Sequence, residues 1–324
     1  MHRVTFRGEV DSGPLCYEAD DLVLLDPAGA ALSPPPPADR TVHIDYPPRR
    51  ATAESVARLL GRHRPSRLVA AGDGATLDVA KQAWLLAGAG TALVLAPVGA
   101  EPWRAFAPFT SLYEPDGQRV SRPDPSLATA RVVVDPAPLD RRPDQVTALH
   151  RADSAVHAVE LLLNTRARSW QRVLARAGLA ALDSRLAGED VAGAGLITEA
   201  FASTGLGLAH AVASPLAARA GRTHDSVNVI VAPHVVRHWG ERADWSTIAS
   251  ALGTAATAAA VAGSLAARRE RAGLPGSLAA AGFSRDEVLA VVPFALRSSG
   301  IPWLPRPITA TEVTELLERA WTGE

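Results

Sequence analysis

A single cysteine, Cys16, stands among 324 residues, so no internal disulfide can form. The chain is expected to work in a reducing compartment, the cytoplasm. A dominant charge is missing as well. The 33 Lys and Arg residues face 34 Asp and Glu, and the net charge of -1 supplies no basic field for nucleic acid or an anionic membrane. Strongly apolar runs are lacking. The longest uncharged stretch, 245–267, is mostly Ala, Thr, Ser and Gly. It is long enough to span a bilayer but too weakly apolar, and is expected to be a packed helix. The first residues, from Met1 to Arg7, hold no apolar segment of the kind a signal peptide needs. No internal repeat is evident.

What is present divides the chain in two. Short Val- and Leu-rich runs at 22–25, 41–44, 67–70, 92–96 and 131–134 lack strict alternation, as expected of parallel strands buried on both faces. Helical patterns at about 52–63 and 75–87 lie between them and complete a βαβ order. The run Pro34 to Pro37 is a stiff connector. Glu114 to Gly117 is a turn signal that closes a hairpin between about 106 and 120. After about Asp144 strand signals stop. Helical patterns follow at about 146–165, 168–186, 190–213, 226–239, 242–271, 284–299 and 310–321, with capping-box spacing at Ser284/Glu287 and Thr309/Glu312. The expected domains are therefore 1–143, α/β, and 144–324, all helical.

The helical half carries the strongest chemical pattern. Asp153 and His157 are four residues apart and share one helix face. His210 and His224, on neighbouring helices, would complete a four-ligand set for a divalent metal such as Fe²⁺ or Zn²⁺. A rival pair with the same spacing, His234 and His238, has less support, because His238 precedes Trp239 on an expected exposed turn. In the first half, Arg67 to Lys81 has the order strand, glycine turn, helix. Gly72 and Gly74 are placed where backbone N–H groups can approach a pyrophosphate at a helix N-terminus. An ordinary tight βα turn gives the same local sequence. Trp84, Trp170, Trp245 and Trp321 lie in helical contexts and are expected to pack. Arg268 to Arg271 is expected to be a solvated helix end.

The segment around Asp153 resembles the Asp-Ala-x-x-His-Ala-x-Glu run of iron-containing (group III) alcohol dehydrogenases. Gly207 to Val235 is similar to that family's later His-containing segments, and His210 and His224 keep its usual separation of fourteen positions. The resemblance extends from about Leu22 to the end. Its tail, Pro305-Arg-Pro-Ile-Thr309, looks like the maleylacetate reductase branch, although that branch often has Asn where this chain has Asp153. The implied fold is an α/β N-terminal Rossmann-like parallel-sheet domain followed by an all-α C-terminal domain, the dehydroquinate synthase-like arrangement. In the family the ligand helices face the α/β domain.

The resemblance also implies NAD(H), and admits NADP(H), bound through Asp26, Gly72, Asp73, Gly74, Ala75, Asp78 and Val98. Gly72, Gly74, Asp78 and Lys81 match the family's Gly-Gly-Gly-Ser-x-x-Asp-x-x-Lys, while Asp73 replaces a glycine and Ala75 a serine. Asp26 stands where the family often has a ribose-binding acid. Val132 to Pro136 matches the family's Val-Ile-Val-Asp-Pro. The family loop rich in Thr, Gly and Ser is Pro97-Val-Gly-Ala-Glu-Pro-Trp-Arg-Ala105 here, and Trp103 and Arg104 are expected to line or fill the cleft. The chain also starts only about twenty residues before the first expected strand, a shorter lead-in than the family's. Ser214 stands in place of a family His that helps proton traffic, so Ser214 is the expected catalytic relay. A serine can pass a proton but cannot hold one near neutral pH.

Three readings follow. The first is a metal-dependent NAD(P)-linked oxidoreductase acting on an alcohol, hydroxy acid or ketone. Relatives that work in clusters making C-terminally modified peptides extend its expected substrates to a peptide. The second is a non-redox metal lyase or cyclase of dehydroquinate synthase type. The third is an inactive homologue acting as a scaffold or binding subunit. The expected assembly is a homodimer or a partner enzyme of a pathway, without nucleic acid or membrane.

Overall fold

The computed structural model describes residues 8–32, 35–117, 119–186, 188–220 and 223–324. Residues 1–7, read above for a signal segment, and Pro34 of the proline run lie outside the described residues. In chain order the first elements are β1 (Val10–Ser12), β2 (Leu22–Leu25), β3 (Thr41–His43), α1 (Arg50–His63), β4 (Arg67–Gly72) and α2 (Gly74–Leu86). Next come β5 (Ala92–Pro97), β6 (Phe109–Tyr113), β7 (Arg119–Pro123), β8 (Arg131–Val134) and α3 (Pro136–Asp140). The remainder is α4 (Asp144–Leu163), α5 (Ser169–Ala181), α6 (Glu189–Phe201), α7 (Leu208–Ala220), α8 (His224–Trp239), α9 (Ser246–Leu252), α10 (Ala258–Arg271), α11 (Arg285–Leu289), α12 (Val292–Ala295) and α13 (Ala310–Thr322).

Two compact units result. One comprises the described part of Met1–Arg142 together with Arg185–Ala202; the other comprises Pro143–Ser184 and Ser203–Glu324. The first is the expected α/β unit. Its main sheet has six parallel strands in the order β1-β8-β5-β4-β2-β3. Val23, Leu24, Val69 and Ala70 are fully buried, as the unalternating sequence demands of strands covered on both faces. β6 and β7 form the expected antiparallel hairpin around Glu114 to Gly117.

Several boundaries differ from the sequence reading. A strand precedes Leu22: β1 pairs in parallel with β8. The single pattern at 190–213 is two helices, interrupted at Gly205 with φ +76, and α6 belongs to the α/β unit although the sequence boundary lies near residue 143. The weakly apolar stretch 245–267 is also two helices, broken at Gly253 with φ +65. α9 ends in the left-handed Gly253, whereas α6 ends at Ala202 and Gly205 lies in the connection that follows. Both expected capping boxes form, at Ser284/Glu287 and Thr309/Glu312. Trp84, Trp245 and Trp321 donate their indole N–H groups to backbone carbonyls, but Trp170 is exposed. Arg268 is not solvated: it is buried and forms a bidentate pair with Asp183. No helix among the described residues is long and apolar enough to cross a membrane.

Candidate functional site

The second unit gathers the four expected ligands. Each of Asp153, His157, His210 and His224 offers an atom within 4.8 Å of the others. Asp153 and His157 come from α4, His210 from α7 and His224 from the first turn of α8. The rings of His157 and His210 stack at 4.4 Å between centroids, and those of His210 and His224 lie 5.1 Å apart. All four residues are at most 9% exposed. Three imidazoles and one carboxylate, buried and convergent, are the donor set of a borderline divalent ion such as Fe²⁺ or Zn²⁺.

Two residues given no role by sequence hold this set in place. Glu160 accepts hydrogen bonds from Gly207 N at 2.9 Å, Ala209 N at 2.5 Å and His210 Nδ1 at 2.6 Å. It thereby satisfies amides at the start of α7 and leaves His210 Nε2 as the ring's donor atom toward the cluster. Asn228 Nδ2 donates to Asp153 Oδ1 at 2.7 Å and lies 3.1 Å from His210 Nε2, so it ties ligands of different helices together. A spacing signal for both was present. Asp153, His157 and Glu160 stand at i, i+4 and i+7, and His224 and Asn228 at i, i+4.

The other expectations in this unit fare differently. His234 lies between the carbonyls of Glu324 and Gly276, and His238 contacts Arg319 and Trp239, so the rival pair does not converge. Burial lowers the pKa of both rings. Ser214 sits one turn after His210 but is exposed.

In the α/β unit the expected cofactor residues cluster around the turn from β4 to α2, and the chain itself fills that turn. Asp26 is buried, and its carboxylate accepts from Ala28 N, Gly29 N, Asp73 N and Thr76 Oγ1, at 2.7 to 3.0 Å. These four bonds tie it to the turn. Asp73 is the N-cap of α2 and accepts from Ala75 N and Thr76 N. Asp78 pairs with Lys81 at 3.0 Å and Arg104 at 2.6 Å and accepts from Ser111 N. Val98 and Ala75 are buried. A Cβ on Gly72 would fall 2.1 Å from Asp26 Oδ2, and one on Gly74 would fall 2.2 Å from Arg104 Cδ. The glycines thus admit the protein's own side chains. Trp103 and Arg104 are buried within this unit, with the guanidinium 4.6 Å from the Trp103 ring centroid. As folded, the amides of Asp73, Ala75 and Thr76 are bonded to the carboxylates of Asp26 and Asp73, and Arg104 lies over Gly74.

Residues 147–321 match the family model described as Fe-containing alcohol dehydrogenase family, C-terminal. The chain therefore belongs to the iron-containing alcohol dehydrogenase family. Maleylacetate reductase of Burkholderia cepacia is 25% identical over 322 residues, covering 88% of this chain and 90% of that protein. Lactaldehyde reductase of Escherichia coli K12 is 27% identical over 220 residues, covering 61% of this chain; the match spans only 57% of that protein's length. The fold is that of the iron-containing alcohol dehydrogenase of Corynebacterium glutamicum ATCC 13032, with a TM-score of 0.80 at 20% identity, covering 100% of this chain and 97% of that one.

Proposed function

We propose that this protein is a metal-dependent oxidoreductase that interconverts an alcohol or hydroxy acid with its ketone, linked to an NAD(P)-type dinucleotide. The observation that carries the proposal is the buried convergence of Asp153, His157, His210 and His224. A divalent ion held there would act as a Lewis acid toward a substrate oxygen. The protein's own part is to fix the donors: Glu160 orients His210, and Asn228 restrains Asp153. Ser214 is proposed as a proton relay that can pass but not store a proton. Hydroxylated peptide termini belong to the proposed substrate range, and a cytoplasmic homodimer or pathway partner is the proposed setting.

The committed glycine turn favours a second reading, a metal lyase or cyclase in which no dinucleotide is held at that turn. Metal analysis and NADH titration separate the two. Purified protein is expected to hold about one divalent ion per chain, and the His210→Ala/His224→Ala variant none. Full metal occupancy in that double variant would refute the ligand assignment.

A further inference from the structure

The turn from β4 to α2 has the backbone of a phosphate cradle and the side chains of a closed one. Three of its amides are already bonded: Asp73 N to Asp26, and Ala75 N and Thr76 N to Asp73. These N–H groups, with the positive end of α2, are what a pyrophosphate would use. Four carboxylates, from Asp26, Asp73, Asp78 and Glu101, lie around the turn, and Lys81 and Arg104 pair with Asp78 and Glu101.

The closure is anchored. Arg104 bridges Asp78 and Glu101 at 2.6 and 2.9 Å. Lys81, fully buried, donates to the carbonyls of Arg104, Ala107 and Phe109 and so pins the segment that carries Arg104. On the opposite side, a Cβ on Gly99 would lie 2.3 Å from Asp73 Cβ, so the loop after β5 packs directly on the capping residue. A glycine at position 73 would supply no carboxylate to cap α2.

We propose that Asp73 is an internal plug of the dinucleotide cradle, held by the amides of Ala75 and Thr76, and that an NAD(P)-type pyrophosphate gains the turn amides only by displacing its carboxylate. This rests on the reading of the turn as the dinucleotide site. The groups that face Asp73 are Asp26 from the end of β2, Thr76 from α2 and Glu101 from the loop after β5. Burial first, then the charges of Asp26 and Glu101, push its pKa up to about 7. A dianionic pyrophosphate adds to that pressure, so binding near neutral pH takes up a proton at Asp73.

The test is calorimetric titration of metal-loaded protein with NADH at pH 6 and pH 8, in buffers of different ionisation enthalpy, for wild type, Asp73→Gly and Asp73→Asn. The asparagine variant keeps a capping oxygen and covers the case in which glycine impairs folding. Both variants are expected to bind at least about tenfold more tightly than wild type at pH 8. Wild type is expected to bind more tightly at pH 6 than at pH 8 and to take up protons, and the variants to lose both behaviours. Sub-micromolar binding by wild type, unchanged in either variant, would overturn the plug. So would the absence of binding by all three at millimolar NADH, which would also remove the dinucleotide from the function. Metal content measured on the same samples isolates that outcome from a failure of the ligand assignment, whose residues lie in the other unit.

Discussion

Replacing Glu160 with Gln tests whether this residue orients the metal ligands. The carboxylate is 5% exposed and accepts three hydrogen bonds, two through Oε2 from Gly207 N and His210 Nδ1 and one through Oε1 from Ala209 N. A glutamine of the same shape has one acceptor oxygen. If that oxygen takes the Oε2 position, the side-chain amide meets Ala209 N–H donor to donor at a separation that was 2.5 Å. One buried amide then loses its partner, and the bond to His210 loses its charge. Together these cost about 2–4 kcal/mol of folding stability. Loss of the orienting carboxylate also costs about 10–100-fold in metal affinity. Gly207 provides an independent route to the same effect. A Cβ there would lie 2.9 Å from Glu160 Oε1, so Gly207→Ala is expected to push the carboxylate and weaken metal binding in the same direction. The assays are urea denaturation of the metal-free protein and competition for Zn²⁺ against a chromogenic chelator. If Glu160→Gln keeps metal affinity within about twofold and stability within about 0.5 kcal/mol, the orienting role is refuted.

Asp73 should also shape stability against pH. Its folded pKa, about 7, stands above the ordinary 3.8, so the folded state holds the proton more tightly. Its stabilising contribution is present below about pH 4 and is lost as pH rises through about 7. Asp73→Asn should flatten that part of the profile by on the order of 4 kcal/mol, and parallel denaturation curves for the two proteins between pH 4 and pH 8 would contradict the assignment. Ser214→His, at an exposed position, should leave stability within about 0.5 kcal/mol while raising turnover of small alcohols with added metal and NAD. Absence of turnover in both forms, with metal bound, would count against the oxidoreductase proposal.

The sequence by itself determined a good deal. Unalternating Val and Leu runs specified parallel strands buried on both faces, because such strands have no solvent side to mark with polar residues. The spacing of Asp153 and His157 put two ligands on one helix face, and the family resemblance supplied His210 and His224. Local rules reached that far because both signals act within a few residues or were carried by recognisable segments. Only the tertiary structure decided which polar groups use up one another. That Glu160 spends its carboxylate on His210 and the start of α7 depends on two helices meeting 50 positions apart in sequence. That Asp26 closes the turn at Asp73, 47 positions away, depends on β2 and β4 pairing. Arg104 reaches Gly74 because Lys81 pins its loop. A glycine turn looks the same in sequence whether it receives a phosphate or the protein's own carboxylate, because the difference lies in side chains brought from other strands and loops by folding.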